Sequence, residues 1–180
     1  PYTNINTPDI NSNDVYLSME KCDIKLVVVS VYAGQILKSK ILSLEKKYIH
    51  VHSGKLPEYR GSTTIYYSLL KKNKVAASAI IINEGIDTGD IICFKEFDFN
   101  FDPKLIDLIF DPLLRAVVLV FALKYLSKKY KKSALQNKSD GEDYFIIHPL
   151  LKHLACLLYT SDAADDSLRV DLGGRRIIKK

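Results

Sequence analysis

The 180-residue chain predicts an α/β fold with a mostly parallel sheet. Three observations carry that expectation. Residues 23–31, from Asp23 to Val31, form a nearly unbroken β-branched run, the pattern of a central parallel strand buried on both faces. Stretches of helical periodicity alternate with further strand-like runs, which argues a sheet with helices on its faces. Turns containing Gly or Pro stand between those runs.

Residues 1–13 are rich in Asn, Thr, Ser, Asp and Pro and read as loop, and Val15 to Lys21 as a short helix. Gly34 ends the first strand. Ile36, Leu37, Ile41 and Leu44 then recur at helical spacing up to Glu45. Tyr48 to Val51 is a short strand. Ser62 is placed to cap a helix running through Tyr66, Leu69 and Leu70 to Lys72. Val75 to Asn83 and Asp90 to Phe97 read as two more strands across a Gly-containing turn. Asp102-Pro103 opens a helix and Asp111-Pro112 restarts it, since Pro is comfortable in the first helical turn. The helical pattern fades between Lys124 and Lys132. Tyr144 to His148 reads as a terminal strand closed by a turn at Pro149, with His148 structural. No internal repeat is present.

The two ends stand apart from the rest. Cys156 to Asp166 resembles the translation of a sequencing-library transposon adaptor, and Leu168 to Lys180 that of its outer primer. Residues 156–180 are therefore expected to be an adaptor-derived, disordered tail and are set aside. The chain opens on Pro1, so a fragment truncated at both ends is expected. The remaining 1–155 suffice for one domain with a core. The whole chain holds 26 Lys+Arg and 21 Asp+Glu; five of the basic and four of the acidic residues fall in the tail, which leaves +4. Such a mild excess suits an anionic ligand without demanding nucleic acid. Cys22 and Cys93 lack metal-type spacing, and a reduced, cytoplasmic setting is expected. The apolar run from Leu113 to Leu123 contains Arg115 and is too short to span a bilayer, so no membrane partner is expected. The lysines at 124, 128, 129, 131 and 132 could grip phosphate, but they read better as complements to a helix C-terminus.

The chemistry concentrates in two segments. One is His50-Val51-His52, followed by a loop released by Gly54 and Gly61 and stiffened by Pro57; the other is Gly85 to Asp90. Ligand sites in open α/β sheets lie beyond the carboxyl ends of strands, which is where His52 falls. Asp87 and Asp90 both read as turn residues by composition alone. His50 and His52, two apart on a strand, point the same way, so charging both is penalised.

Together these motifs resemble the folate-dependent formyltransferases, whose signature reads Asn-x-His, a Leu-Pro-x-Tyr-Arg-Gly-type loop and Asp-x-Gly-Asp. The likeness covers roughly Lys25 to Phe97. It implies a Rossmann-like formyltransferase fold with its first strand–helix units missing, and transfer of a formyl group from 10-formyl-tetrahydrofolate to a primary amine without a metal. It implies His52, Asp87 and His50 as catalytic residues, with His52 facing the formyl oxygen and Asp87 managing charge and protons; Asp90 stays structural. By the same likeness Tyr32, Gly34, Gln35, Ile36 and Leu37 line the folate pocket, and Tyr59 and Arg60 contact an anionic substrate. His50 stands where the family has Asn, and an imidazole donates there only from the correct tautomer or as the cation. The acceptors suggested are an amino-sugar nucleotide first, then initiator methionyl-tRNA, with a purine-pathway amine third. The competing class is a non-catalytic binding module, which His50 favours and an intact His52–Asp87 pair disfavours.

Overall fold

In a computed structural model, the described residues are 4–31, 34–72, 74–99, 101–128, 133–137 and 140–159. Helix α1 spans Asn13–Lys21, with the Ser12 side chain accepting from the Val15 amide at its start. Strand β1 is Leu26–Val28, α2 is Ser39–Leu42 and β2 is Lys47–His52. Then follow β3 (Tyr59–Gly61), α3 (Thr64–Lys72), β4 (Lys74–Ile81) and β5 (Ile91–Asp98). Asp102 caps a 3-10 turn at Pro103–Leu105, a π-type turn covers Ile106–Phe110, and α4 runs over Asp111–Leu126 with Pro112 in its first turn. The restart expected at Asp111-Pro112 is thus present. Strand β6 is Glu142–Tyr144, and residues 149–159 form a last helix, α5.

Four strands make the main sheet in the order β1-β2-β4-β5. β1 runs parallel to β2, whereas β4 is antiparallel to both β2 and β5. The sheet is mixed, and its parallel pair carries the candidate site at its carboxyl end. A separate two-stranded ladder joins β3 to β6.

The main core lies between the sheet and α3, α4 and α5. Ile49, Val51, Val75, Ala77 and Ala79 from the strands meet Ile65 and Leu69 of α3 and Leu114 and Val118 of α4. Along β4 the residues from Val75 to Ile80 are all buried, so both faces of that strand are covered. A smaller cluster of Leu37, Ile41 and Tyr48 packs against α1. Among the described residues no helix is long and apolar enough to cross a membrane.

Two expectations are corrected. The run from Asp23 to Val31 is not a central strand among the described residues: only Leu26–Val28 pair, they edge the sheet, and Leu26 and Val28 are 37% and 45% exposed. A single neighbour, β2, supplies its ladder bonds. The second concerns the segment from Tyr144 to His148. The strand ends at Tyr144, and α5 begins at Pro149 with the His148 ring accepting from the Leu150 amide. Proline fits a first helical turn, which converts the expected stop into a start. The proposed boundary at 155/156 falls inside this helix, and residues 160–180 lie outside the described residues.

Candidate active site

β2 delivers two imidazoles to the end of the parallel pair. Its buried residues insert into the core, and its last residue, His52, sits opposite Ser78 of β4. Beyond it the chain folds back over the ring. A Cβ at Gly54 would come within 2.8 Å of His52 Nε2 and 2.9 Å of the Tyr59 carbonyl, so the return requires glycine. Ser78 pins that loop from below: its hydroxyl donates to the Gly54 carbonyl at 2.7 Å and accepts from the Leu56 amide at 3.1 Å. Ser78 is fully buried.

His52 is 5% exposed. Its Nε2 donates to the Tyr59 carbonyl at 2.7 Å and lies 3.3 Å from Thr64 Oγ1. The Thr64 hydroxyl is itself committed as donor to the Ser53 carbonyl, so both neighbours of Nε2 are acceptors. The proton therefore belongs on Nε2. Nδ1 faces Asp87 Oδ2 at 3.3 Å. Burial pushes the proton affinity of His52 below its ordinary value, with the Asp87 carboxylate and the Tyr59 carbonyl opposing.

Asp87 arrives from the turn between β4 and β5 in a left-handed conformation, φ 52°, which is uncommon for a residue bearing a side chain. Two hydrogen bonds hold it there: the Gly61 amide donates to Asp87 Oδ2 at 2.9 Å and the Gln136 side-chain amide donates to the Asp87 carbonyl at 3.1 Å. Backbone held in a sparsely populated region by surrounding contacts is a recurrent mark of functional sites. Asp90 accepts from Ser133 Oγ at 3.1 Å, away from the histidines, in keeping with a supporting role.

His50 is half-buried, and its Nδ1 donates to the Val29 carbonyl at 3.1 Å. In the singly protonated ring that leaves Nε2 as an acceptor. His50 lines a cleft of about 210 Å³ with Val28, Val29 and Ser30 of the β1 end and Pro112, Arg115, Ala116 and Leu119 of α4. Asp111, at the start of α4, accepts from Ser53 Oγ and pairs with Arg115 Nη2 at 2.9 Å.

The remaining site residues fall as follows. His52 and Asp87 are brought together, and His50 stands on the same strand over the cleft. His52 does not face open space: both its ring nitrogens are engaged with protein groups. Tyr59 and Arg60, expected to touch substrate, are 4% and 5% exposed. Arg60 Nε pairs with Asp143 at 2.7 Å and Nη2 donates to the Gly141 carbonyl, while Tyr59 stacks on Tyr144, so both serve the β3–β6 ladder. Tyr32 lies outside the described residues. Gly34 takes φ +90°, Gln35 donates to the Pro8 carbonyl, Ile36 is half exposed and Leu37 is buried in the smaller core. The cleft is instead lined by residues 28–30, just before that segment. Sequence reasoning did not connect Thr64, Asp111 and Arg115 with the candidate site. Asp111 reaches Ser53 across 58 positions, which no local pattern reveals. Among the described residues no group of three or more His, Cys, Asp or Glu side chains could hold a metal.

The family model described as Formyl transferase matches residues 6–102, more than half of the chain, and the chain belongs to that family. A methionyl-tRNA formyltransferase from Finegoldia magna is 34% identical over 98 residues, covering 53% of this chain and 31% of the relative. The chain spans about a third of the length of the first curated relatives it matches. Solved structures share the fold. A 4-N formyltransferase from Francisella tularensis has a TM-score of 0.60 at 20% identity, covering 85% of this chain and 65% of its own. A sugar N-formyltransferase from Shewanella sp. FDAARGOS_354 has 0.54 at 21%, covering 82% and 64%. HypX from Aquifex aeolicus in complex with tetrahydrofolic acid has 0.55 at 16%, covering 76% and 23%.

Proposed function

We propose that this chain is part of an enzyme that moves a formyl group from 10-formyl-tetrahydrofolate to a primary amine. One observation carries the reading: the His52–Asp87 pair, 3.3 Å apart at the carboxyl end of the parallel strands, with Asp87 held in a left-handed conformation. Membership of the formyl transferase family and the tetrahydrofolate held by a protein of like fold support the choice of donor.

The attacking amine must lose a proton while the formyl carbonyl becomes an oxyanion. Asp87, partly accessible at 13%, accepts that proton and returns it to the departing folate nitrogen, with buried His52 beside it setting the charge around the carboxylate. The Gly61 amide keeps the carboxylate in place through the cycle. Burial keeps the imidazole from charging without a partner, so its proton affinity is tied to the state of Asp87.

Two acceptor classes follow. Initiator methionyl-tRNA is favoured by the named relatives that exceed 30% identity. An amino-sugar nucleotide, the acceptor the sequence reading placed first, is the second, favoured by the fold likeness to a sugar N-formyltransferase. Release of tetrahydrofolate from 10-formyl-tetrahydrofolate, followed with each acceptor in turn, tests the proposal. Release with one acceptor, abolished by Asp87→Ala, is the expected result. Folate binding without release on any primary amine would replace the enzyme by the binding module that His50 favours.

A further inference from the structure

The family resemblance assigns an amide donor to the position His50 occupies, and His50 cannot fill that role in its singly protonated form. Its Nδ1–H is spent on the Val29 carbonyl, so Nε2 presents a lone pair. An acceptor aimed at a developing oxyanion would repel it. The donor must come from elsewhere around the same cleft.

Arg115 is the group available. It lines the cleft with His50 from the facing helix. Asp111 takes Nη2 at 2.9 Å, which aligns the guanidinium and leaves its other donors uncommitted by that contact. Its Nε is buried and has no hydrogen-bond partner among the described residues. A buried donor without a partner is costly and calls for an explanation. Asp111 in turn accepts from Ser53 Oγ, tying the guanidinium to the residue that follows His52. Apolar residues Val28, Val51 and Leu119 complete the cleft.

We propose that Arg115 is a substrate-contacting residue of the transfer site, donating from its guanidinium to the oxygen of the transferred formyl group, with Asp111 as its positioning residue. This rests on the transfer reading above. The amine nitrogen attacks the formyl carbon, a C–N bond forms, and the carbonyl π pair moves to oxygen, where Arg115 meets it. His50 Nε2 accepts a hydrogen bond from the amine and orients it, while the amine proton passes to Asp87. Collapse of the intermediate breaks the bond to N10 of the folate, which takes back the proton held by Asp87. A formamide and tetrahydrofolate result.

The test pairs two ligands that differ only in the formyl group, 10-formyl-5,8-dideazafolate and 5,8-dideazafolate, on the intact protein and its Arg115→Met and Arg115→Lys variants. Arg115→Met is expected to weaken the formylated ligand about tenfold more than the unformylated one, the effect of one charge-assisted hydrogen bond. In turnover it lowers kcat by about 10²-fold, the usual cost of one oxyanion donor, with the KM for acceptor little changed. Arg115→Lys restores part of both, and it carries the comparison alone should Arg115→Met unfold. Equal weakening of the two ligands, or a kcat within threefold of the parent, overturns the inference. The binding comparison needs no turnover. Formyl discrimination that is lost in Arg115→Met, on a protein silent with every acceptor, would uphold the contact while sinking the transfer reading.

Discussion

His52 and Asp87 interact through a geometry set by their neighbours. The ring is locked by acceptors on its Nε2 side, and the carboxylate by the Gly61 amide, so the two groups meet without either being free to turn away. Removing Asp87 as Asp87→Ala is expected to lower kcat by at least about 10²-fold, a proton-transfer group's usual contribution, while the folded state survives. Far-UV circular dichroism and turnover on the same sample check this. His52 also sets a pH dependence of stability. Its folded proton affinity lies below the ordinary value of about 6.5, so below that pH the unfolded chain binds more protons than the folded one. Stability from this group is full above pH 6.5 and is lost as pH falls toward the lowered folded value, at up to about 1.4 kcal/mol per pH unit. Denaturant midpoints between pH 8 and 5 are expected to fall for the parent and to fall less for His52→Asn. Ser78→Ala leaves the Gly54 carbonyl and Leu56 amide without their buried partner and is expected to cost about 1–3 kcal/mol in denaturant unfolding.

Elements bring these residues together by contacts of very different range. β2 and β4 are legible in the sequence because burial demands apolar residues along them, and the expected spans, Tyr48 to Val51 and Val75 to Asn83, lie close to the observed ones. Helix α4 is legible for a different reason: Pro112 marks its first turn, and Leu114, Val118 and Ala122 form its buried stripe. β3 and β6 are not legible, because three-residue strands carry too little pattern and their pairing joins residues 83 apart, such as Arg60 and Asp143. The same distance hid the role of Arg60, whose guanidinium looks like an anion-binding group until its partner is known. β1 misled in the opposite way: a β-branched run fits a two-sided burial that the described neighbours do not provide. At this scale Gly61→Ala is the sharpest probe. Gly61 takes φ +98°, and a Cβ there would lie 2.1 Å from the Tyr144 carbonyl, so the substitution must part β3 from β6 and release the amide that holds Asp87. A loss of at least about 1–3 kcal/mol together with reduced turnover is expected, where a surface glycine would show neither. Leu114→Ala, which opens the core under α4, is expected to cost about 2–5 kcal/mol in thermal or denaturant unfolding.

For the whole molecule, the fold and the chemistry separate. A mixed sheet with helices on its faces is shared by proteins of different name at 16–21% identity, so the architecture alone does not select an acceptor. The His52–Asp87 pair joins the end of β2 to the β4–β5 turn, and the cleft is lined by the end of β1, β2 and α4. The two histidines and Asp87 were singled out through the motif resemblance; Arg115 was not, because nothing local in the sequence shows that it lines a cleft with His50. The most direct test follows tetrahydrofolate release by the intact protein, given 10-formyl-tetrahydrofolate and, separately, methionyl-tRNA and a series of amino-sugar nucleotides, alongside its Asp87→Ala variant. Release that depends on one acceptor and disappears in Asp87→Ala is the outcome the His52–Asp87 geometry predicts. Release at the same rate in the variant, or tight folate binding with no release on any amine, would contradict it.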